Sequence, residues 1–419
     1  MPQTKRLKCL LLLVLLISAL LRCGVAAYVQ RQLERQPGRT YVIEGDAEGY
    51  WKLAQAIKQG EPYSIYMPPR RVLRMPGFPL VLAGAMAVVG ESHARVRMVL
   101  ALLGVVTCFV VYLLGTELVN ETVGVLAAGL TAVSPVMAGF SVLILSETVF
   151  ALTMLISLWV LVKLSKIKWE KTDQNRGILW SLLAGVSLAL AYYVRPSWLL
   201  IVPLVVVFYI FSAKGHRKVA VQRSLILLAG FSLMLLPWVV RNYRVTGHVV
   251  PTTLWSGPSL YDGLNPGATG DSDMTFFDQE HVLDSMTEYE MNQHYTQRAV
   301  AYAKQHPGRV IQLMGAKLLR YWKPWPNAAQ FQSWWMMLAV SVVFVPVLVF
   351  AIYGAWVSRN QCLLLLITAG PILYFSLIHM VFVSSLRYRL PAEYSLDILS
   401  AVGICQLYVS RFQKKEIHP

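Results

Sequence analysis

Residues 95–115 read RVRMVLALLGVVTCFVVYLLG, a run that is predominantly apolar from Met98 onward. About 20 such residues in a helix are enough to cross the hydrocarbon of a bilayer. Nine more runs of this kind occur near residues 8–28, 122–140, 143–163, 178–194, 197–213, 223–240, 334–357, 361–383 and 391–410. The sequence therefore predicts an all-α polytopic membrane protein with about ten transmembrane helices, and up to twelve.

The composition also indicates a chain that lies largely in lipid. Of the 419 residues, 56% are hydrophobic and only 14% are charged, and the mean hydropathy is +0.51. Soluble domains carry about 25% charged residues. The formal net charge of +16 is typical of positive cytoplasmic loops. Nucleic-acid binding would need a basic soluble face, which the sequence does not predict.

The cysteines and histidines predict no metal site. The eight histidines have no ligand spacing with one another. The cysteines lie in or beside apolar runs without a CxxC pair, as small core residues do. They are Cys9, Cys23, Cys108, Cys362 and Cys405.

Charge decides how the short apolar run 78–90 is interpreted. It has about thirteen residues, fewer than a crossing needs. If it does not cross, all the strongly basic stretches face the cytoplasm, in agreement with the positive-inside rule. These stretches are residues 5–8, 163–176, 214–223 and 411–415. We therefore expect a retained first helix, ten spans, and a re-entrant or interfacial helix at 78–90.

This topology divides the chain into three parts. Residues 1–240 form an N-terminal transmembrane catalytic module, whose first extracytoplasmic loop is 29–94. Residues 241–333 form an extracytoplasmic segment with two predicted helices, one near residues 286–305 and one from Pro307 to Trp322. Residues 334–419 supply the C-terminal transmembrane helices.

Asp46 is the first candidate catalytic residue. It lies in the stretch GDAEGY at 45–50, directly after the first span. A lone loop aspartate is ordinarily solvated, but Tyr50 and Trp51 are expected to keep this loop at the bilayer. An aspartate near hydrocarbon has a raised proton affinity and can act as a general base. Glu48 and Tyr50 are predicted to contact the substrate.

Glu147 is the second candidate catalytic residue, because it lies between two strongly apolar runs. A carboxylate at the start of a helix is stabilised by the helix dipole, and this explanation requires no function. However, an ionisable group at such a depth usually faces a cavity or a partner. We therefore predict that Glu147 contributes to the reaction.

Several arginines are predicted to meet at the same membrane face. A single arginine at a helix end is ordinarily an interfacial anchor. Arginines that reach one face from four distant parts of the chain instead indicate an anion, and guanidinium groups bind phosphate in a bidentate manner. The predicted phosphate ligands are Arg70, Arg74, Arg195, Arg241, Arg387 and Arg389.

These motifs carry a family resemblance. In order along the chain they are GDAEGY at 45–50, RMPGFP at 74–79, SE at 146–147, RP at 195–196, PW at 237–238 with RN at 241–242, and RYRLP at 387–391. The chain resembles the GT-C class of integral membrane glycosyltransferases over nearly its whole length. Within this class it is similar to bacterial relatives of the protein O-mannosyltransferases and the lipid A aminoarabinose transferases.

The resemblance implies a GT-C-like helical bundle with extracytoplasmic interfacial helices. It also implies inverting transfer of a sugar from a polyprenyl-phosphate carrier at the extracytoplasmic face of a bacterial inner membrane. Asp46 corresponds to the family's base and Glu147 to a second acidic position near the sugar or acceptor. The arginines would hold the lipid phosphate. Family members often have adjacent acids in the first loop, whereas Ala47 separates Asp46 from Glu48 here.

The expected partners are the bilayer, the lipid-linked sugar and an acceptor that is a glycan, a lipid or a protein. No cofactor is expected, because the lipid phosphate already activates the sugar. The main alternative is a transporter or flippase of a phosphate-containing polar lipid, although such proteins usually contain internal repeats and none is evident. A non-catalytic membrane subunit would leave Glu147 unexplained.

Overall fold

The computed structural model describes residues 3–327 and 331–412, which form eighteen α-helices and no β-strand. The first nine are α1 (Gln3–Glu34), α2 (Asp46–Gln59), α3 (Gly77–Val89), α4 (His93–Leu118), α5 (Glu121–Val133), α6 (Pro135–Val142), α7 (Glu147–Ser165), α8 (Gln174–Val194) and α9 (Ile201–Ser212). The others are α10 (Arg217–Thr246), α11 (Ser256–Gly263), α12 (Thr275–Glu280), α13 (Glu288–Gln305), α14 (Pro307–Trp322), α15 (Trp334–Val357), α16 (Cys362–Thr368), α17 (Gly370–Val381) and α18 (Leu386–Phe412). The predicted all-α class is confirmed.

Most of the predicted spans correspond to membrane-length helices. Within the described residues, six helices are long and apolar enough to cross a bilayer, namely α1, α4, α7, α8, α10 and α15. The number rises to eight if the bent pairs α5–α6 and α16–α17 each count as one span. Helices α9 and α18 occupy the other two predicted positions without meeting this test. The multi-pass prediction is confirmed, and in the described parts of the chain six to eight of the predicted spans pass the test of length and composition.

Helix α18 lies inside the bundle although it is rich in ionisable residues. It packs against α15, α5, α7 and α17, and every residue from 389 to 401 is buried. Its acids therefore find partners within the protein, as Asp397 does by accepting a 2.7 Å hydrogen bond from Thr131. These polar side chains explain why α18 does not pass the hydropathy test for a membrane span.

The predicted single span at 122–140 is broken into two helices. Helices α5 and α6 meet at Ser134 with a bend of 65°. Pro135 has no backbone N–H to continue the helical hydrogen bonds. The fully buried Arg22 of α1 donates instead to the carbonyls of Thr131 and Ala132, both at 3.1 Å. Arg22 thus donates hydrogen bonds to carbonyls that the break in the helix leaves unpaired.

The short helix α3 follows closely on the predicted site residue Arg74. Helix α3 begins at Gly77, where a Cβ atom would come within 2.6 Å of the backbone of Tyr193 at the end of α8. Glycine therefore permits this close approach. The structure confirms a short apolar helix of 13 residues here, while its re-entrant or interfacial position remains a prediction.

Helices α11 to α14 occupy the predicted extracytoplasmic segment and share a small core that includes Tyr261, Met291 and Tyr295. The two helices predicted in this segment are confirmed as α13 and α14. Helix α10 continues through Pro237 to Thr246, beyond its predicted end at residue 240. The proposed boundary at 240 consequently falls inside a helix, and the three-part division remains a prediction.

Candidate active site

Asp46 is the first residue of α2 and receives two guanidinium groups. The preceding Gly45 has a φ of 71°, which glycine adopts without strain and which turns the chain into the helix. Arg74 donates to Oδ1 of Asp46, and Arg387 Nη1 donates to Oδ2 at 2.7 Å. The carboxylate keeps 26% of its surface exposed, so it is paired without being sealed off.

Glu147 is the first residue of α7 and is fully buried. Its Oε1 accepts from Arg387 Nε and forms an ion pair with Arg195 Nη2 at 2.7 Å. Arg195 also donates from Nε to the Ser146 hydroxyl at 3.0 Å. Among the described residues, the second oxygen of Glu147, Oε2, has no hydrogen-bond partner. This buried carboxylate oxygen therefore retains an unused capacity to accept a hydrogen bond.

Arg387 joins the two acids into one cluster. It contacts Asp46, 341 positions earlier in the chain, and Glu147, 240 positions earlier. The planar guanidinium group presents donors at Nε and Nη1 in a fixed geometry, so it can contact both carboxylates in a way that a lysine could not reproduce. With Arg74 and Arg195, the cluster holds three positive and two negative side chains and so carries a formal charge of +1.

The arginines determine the protonation of Asp46. Burial by itself would raise the pKa of this carboxyl, but the charges of Arg74 and Arg387, together with the hydrogen bond from Arg387, outweigh burial. The pKa of Asp46 therefore lies well below its ordinary value. The expected raised proton affinity was wrong, because two guanidinium groups face the carboxylate.

Aromatic rings surround the cluster. Arg74 lies over the ring of Tyr50, 5.3 Å from its centroid, and Tyr50 packs edge-on against Phe78 at 4.9 Å. Arg195 lies between the rings of Phe150 and Tyr388, at 5.8 and 5.9 Å. These rings are expected to hold the guanidinium planes in orientation and to lower the local dielectric.

The residues before Arg74 are held by Arg241 and Tyr63. Arg241 Nη1 donates to the carbonyl of Arg71 at 2.7 Å, and its Nη2 donates to the carbonyl of Tyr63 at 2.9 Å. The Tyr63 hydroxyl in turn donates to the carbonyls of Arg74 and Met75 at 3.2 and 3.3 Å. Arg241 thus supports the backbone near Arg74 and is not itself part of the cluster.

The structure gives three other predicted residues different surroundings. Arg70 lies among the rings of Tyr66, Trp255 and Phe277 at 4.6–5.2 Å. Arg389 is fully buried and pairs with Glu393 at 2.5 Å. Glu48 forms an exposed pair with Lys52 at 2.6 Å. None of these contacts brings Arg70, Arg389 or Glu48 to the cluster.

Sequence reasoning missed two residues that matter for the site. Phe150 was treated only as part of an apolar run, and Glu288 was not singled out. The Glu288 carboxylate accepts hydrogen bonds from the backbone amides of Arg71 and Val72, at 2.6 and 3.2 Å. A sequence signal existed nearby, because Thr287 and Glu290 form the capping box that begins α13. Among the described residues, no three His, Cys, Asp or Glu side chains are grouped to hold a metal ion.

The arrangement of the helices is similar to that of solved oligosaccharyltransferase structures. Oligosaccharyltransferase AglB from Archaeoglobus fulgidus, in complex with an inhibitory peptide and a dolichol-phosphate, superposes with a TM-score of 0.58, at 16% identity. The match covers 98% of this chain and 52% of AglB. The apo form of the A. fulgidus oligosaccharyltransferase gives a TM-score of 0.62 at 14% identity, covering 97% and 51%. The chain has the fold of these enzymes and spans about half their length.

A family model agrees with this class. Residues 73–240 match the family described as dolichyl-phosphate-mannose-protein mannosyltransferase. ArnT from Cupriavidus metallidurans bound to undecaprenyl phosphate is 14% identical over 97% of this chain and 78% of ArnT, with a TM-score of 0.42. No curated protein matches the chain in sequence. The resemblance to GT-C class glycosyltransferases and the GT-C-like fold are confirmed.

Proposed function

We propose that this protein is an inverting glycosyltransferase that moves a sugar from a polyprenyl-phosphate-linked donor to an acceptor at the extracytoplasmic side of the membrane. The observation that carries the proposal is the cluster of Asp46, Glu147, Arg74, Arg195 and Arg387, which five separate chain segments bring together. The match of residues 73–240 to a mannosyltransferase family supports the same reaction type.

The charge of the cluster suits a lipid phosphate. A polyprenyl-phosphate sugar is a phosphodiester with one negative charge, which complements the formal charge of +1. When the bond from the anomeric carbon to the phosphate oxygen breaks, the departing phosphate gains a second negative charge. Guanidinium groups that are already in place stabilise this developing charge in a site with little water.

Donor binding would also prepare the base. Arg74 and Arg387 hold the pKa of Asp46 low as long as both of them pair with its carboxylate. A phosphate that shares these two arginines weakens their hold on Asp46, and the proton affinity of the carboxylate then rises. Asp46 accepts the proton of the acceptor hydroxyl as its oxygen attacks the anomeric carbon. A single attack opposite the leaving phosphate inverts the anomeric centre.

Glu147 has a different place in this scheme. Its Oε1 fixes Arg387 and Arg195, and its unpartnered Oε2 is available to a hydroxyl of the sugar or acceptor. Tyr50 lies under Arg74 and is proposed to border the bound substrate. Of the other predicted ligands, Arg70, Arg241, Arg389 and Glu48 lack a contact with the cluster, and we do not assign them to the phosphate.

The donor is proposed to be a polyprenyl-phosphate sugar in a bacterial inner membrane, with a glycan, lipid or protein acceptor. The AglB complex with dolichol-phosphate supports a lipid phosphate in this fold. No cofactor is required by the scheme, because the phosphate is the leaving group. Hexosyl and pentosyl donors are both compatible with it.

The test is Asp46→Asn, assayed in purified protein with labelled polyprenyl-phosphate sugars. Transfer, or slow hydrolysis to free sugar, is expected to fall at least about a hundredfold, as losses of general bases do. Asp284→Asn is the control, since Asp284 is exposed and lies in the extracytoplasmic segment. Both variants should accumulate normally. A wild-type rate of transfer in Asp46→Asn would contradict the assignment of Asp46 as the general base. Movement of the lipid across the membrane without sugar transfer would favour the transporter hypothesis.

A further inference from the structure

Glu288 of α13 forms hydrogen bonds with the backbone just before Arg74. Glu288, the first residue of α13, accepts from the amide of Arg71 at 2.6 Å through Oε2 and from the amide of Val72 at 3.2 Å through Oε1. The two contacts join residues 217 and 216 positions apart in the chain. A carboxylate that accepts two amide hydrogens forms stronger hydrogen bonds than a neutral group does.

No other side chain in the described parts of the protein replaces this link. The side chains of Val72 and Leu73 are buried, at 0% and 5% exposure, so the segment is drawn into the protein at this point. The carbonyl of Val72 accepts from the amide of Leu254 at 2.9 Å, and Arg241 holds the carbonyl of Arg71. The carbonyls thus have separate partners, whereas the two amides depend on Glu288. Removing the carboxylate would leave the N–H of the buried Val72 without its partner, which is costly, while the N–H of the exposed Arg71 could turn to water.

Arg74 is only two residues beyond Val72, and the side chain of Arg74 donates to Asp46. A guanidinium group must be held closely to act on a developing charge, since small displacements greatly reduce rate. We propose that Glu288 is a positioning residue for Arg74, fixing the backbone of residues 71 and 72 so that Arg74 stays against Asp46. Where activity is the readout, this inference rests on the proposed function.

The surroundings of Glu288 predict how the link responds to pH. Burial raises the pKa of Glu288 and outweighs the two amides and the positive charges of Arg241 and Arg70, which act in the opposite direction. Glu288 also borders an open cleft of about 390 Å³. The other titratable or charged residues around the cleft are Arg71, His248, Tyr289 and Glu290. Because the pKa of Glu288 is raised in the folded protein, ionisation of this carboxyl costs folding stability, and that cost is relieved as the pH falls through the raised pKa.

The experiment compares Glu288→Gln with Glu290→Gln in the full-length protein in detergent micelles. Glu290 borders the same cleft and lies two residues along α13, but it accepts only from Thr287, in a capping box that glutamine also supports. Hydrogen exchange reads the amides of residues 71 and 72 directly. In Glu288→Gln these amides should exchange about tenfold faster, as when one charge-assisted hydrogen bond is lost.

Sugar transfer provides the second readout. Glu288→Gln should lower kcat/KM for the lipid-linked sugar about tenfold, with Glu290→Gln within about twofold of wild type. Equal behaviour of the two variants in exchange would overturn the link, and faster exchange with unchanged transfer would overturn the positioning of Arg74.

The two hypotheses fail in different ways. If the wild type neither transfers nor hydrolyses any lipid-linked sugar, the proposed function fails. Amide exchange then still decides whether Glu288 holds residues 71 and 72, and unaltered exchange in Glu288→Gln overturns the inference without reference to activity.

Discussion

At the scale of single residues, Arg387 is the centre of the site because it contacts both acids. Arg387→Lys keeps the charge but loses the planar pair of donors, so one of the two carboxylates loses its partner. We expect transfer to fall about a hundredfold, comparable to the loss of one preorganised donor. Arg244→Lys, an exposed arginine at the end of α10, is the control in the same radiolabel assay. Equal activity of the two variants would contradict the central place of Arg387.

The same residues indicate how far sequence reasoning reaches. Asp46, Glu147, Arg74, Arg195 and Arg387 were all predicted from position and charge, and the structure brings them together. Arg389 was grouped with Arg387 because both precede the same proline. Two positions along an α-helix are about 200° apart around its axis, so the two side chains leave α18 on nearly opposite sides, and Arg389 meets Glu393 instead.

At the scale of elements, the break between α5 and α6 depends on Arg22. Arg22→Ala would leave the carbonyls of Thr131 and Ala132 without their charged donor in a buried place. We expect the free energy of unfolding to fall by roughly 3 kcal/mol, seen as a lower thermal midpoint in detergent. Arg31→Ala at the exposed end of α1 is the control. If Arg22→Ala were as stable as Arg31→Ala, Arg22 would not be needed to stabilise the break between α5 and α6.

Helix lengths were predictable from apolar runs, but their interruptions were less so. Pro135 ends α5, whereas Pro237 lies within α10 without ending it. In a membrane protein, neighbouring groups can satisfy the carbonyls that a proline frees, so the residue alone does not decide. At the break near Ser134, the hydrogen-bond donor to the free carbonyls is Arg22, which lies more than a hundred residues earlier in the chain. Such a contact cannot be predicted from the local sequence.

At the scale of the whole molecule, the side of the membrane that carries the site follows from charge. The basic stretches 163–176 and 214–223 are predicted to be cytoplasmic, which places the segment 241–333 outside. In a variant without the five natural cysteines, Ser285→Cys and Asn175→Cys report on the two sides, and both positions are exposed. A membrane-impermeant maleimide applied to intact spheroplasts should label position 285 readily and position 175 only after permeabilisation. Labelling of position 175 in intact spheroplasts would reverse the orientation and would put Asp46 on the cytoplasmic face.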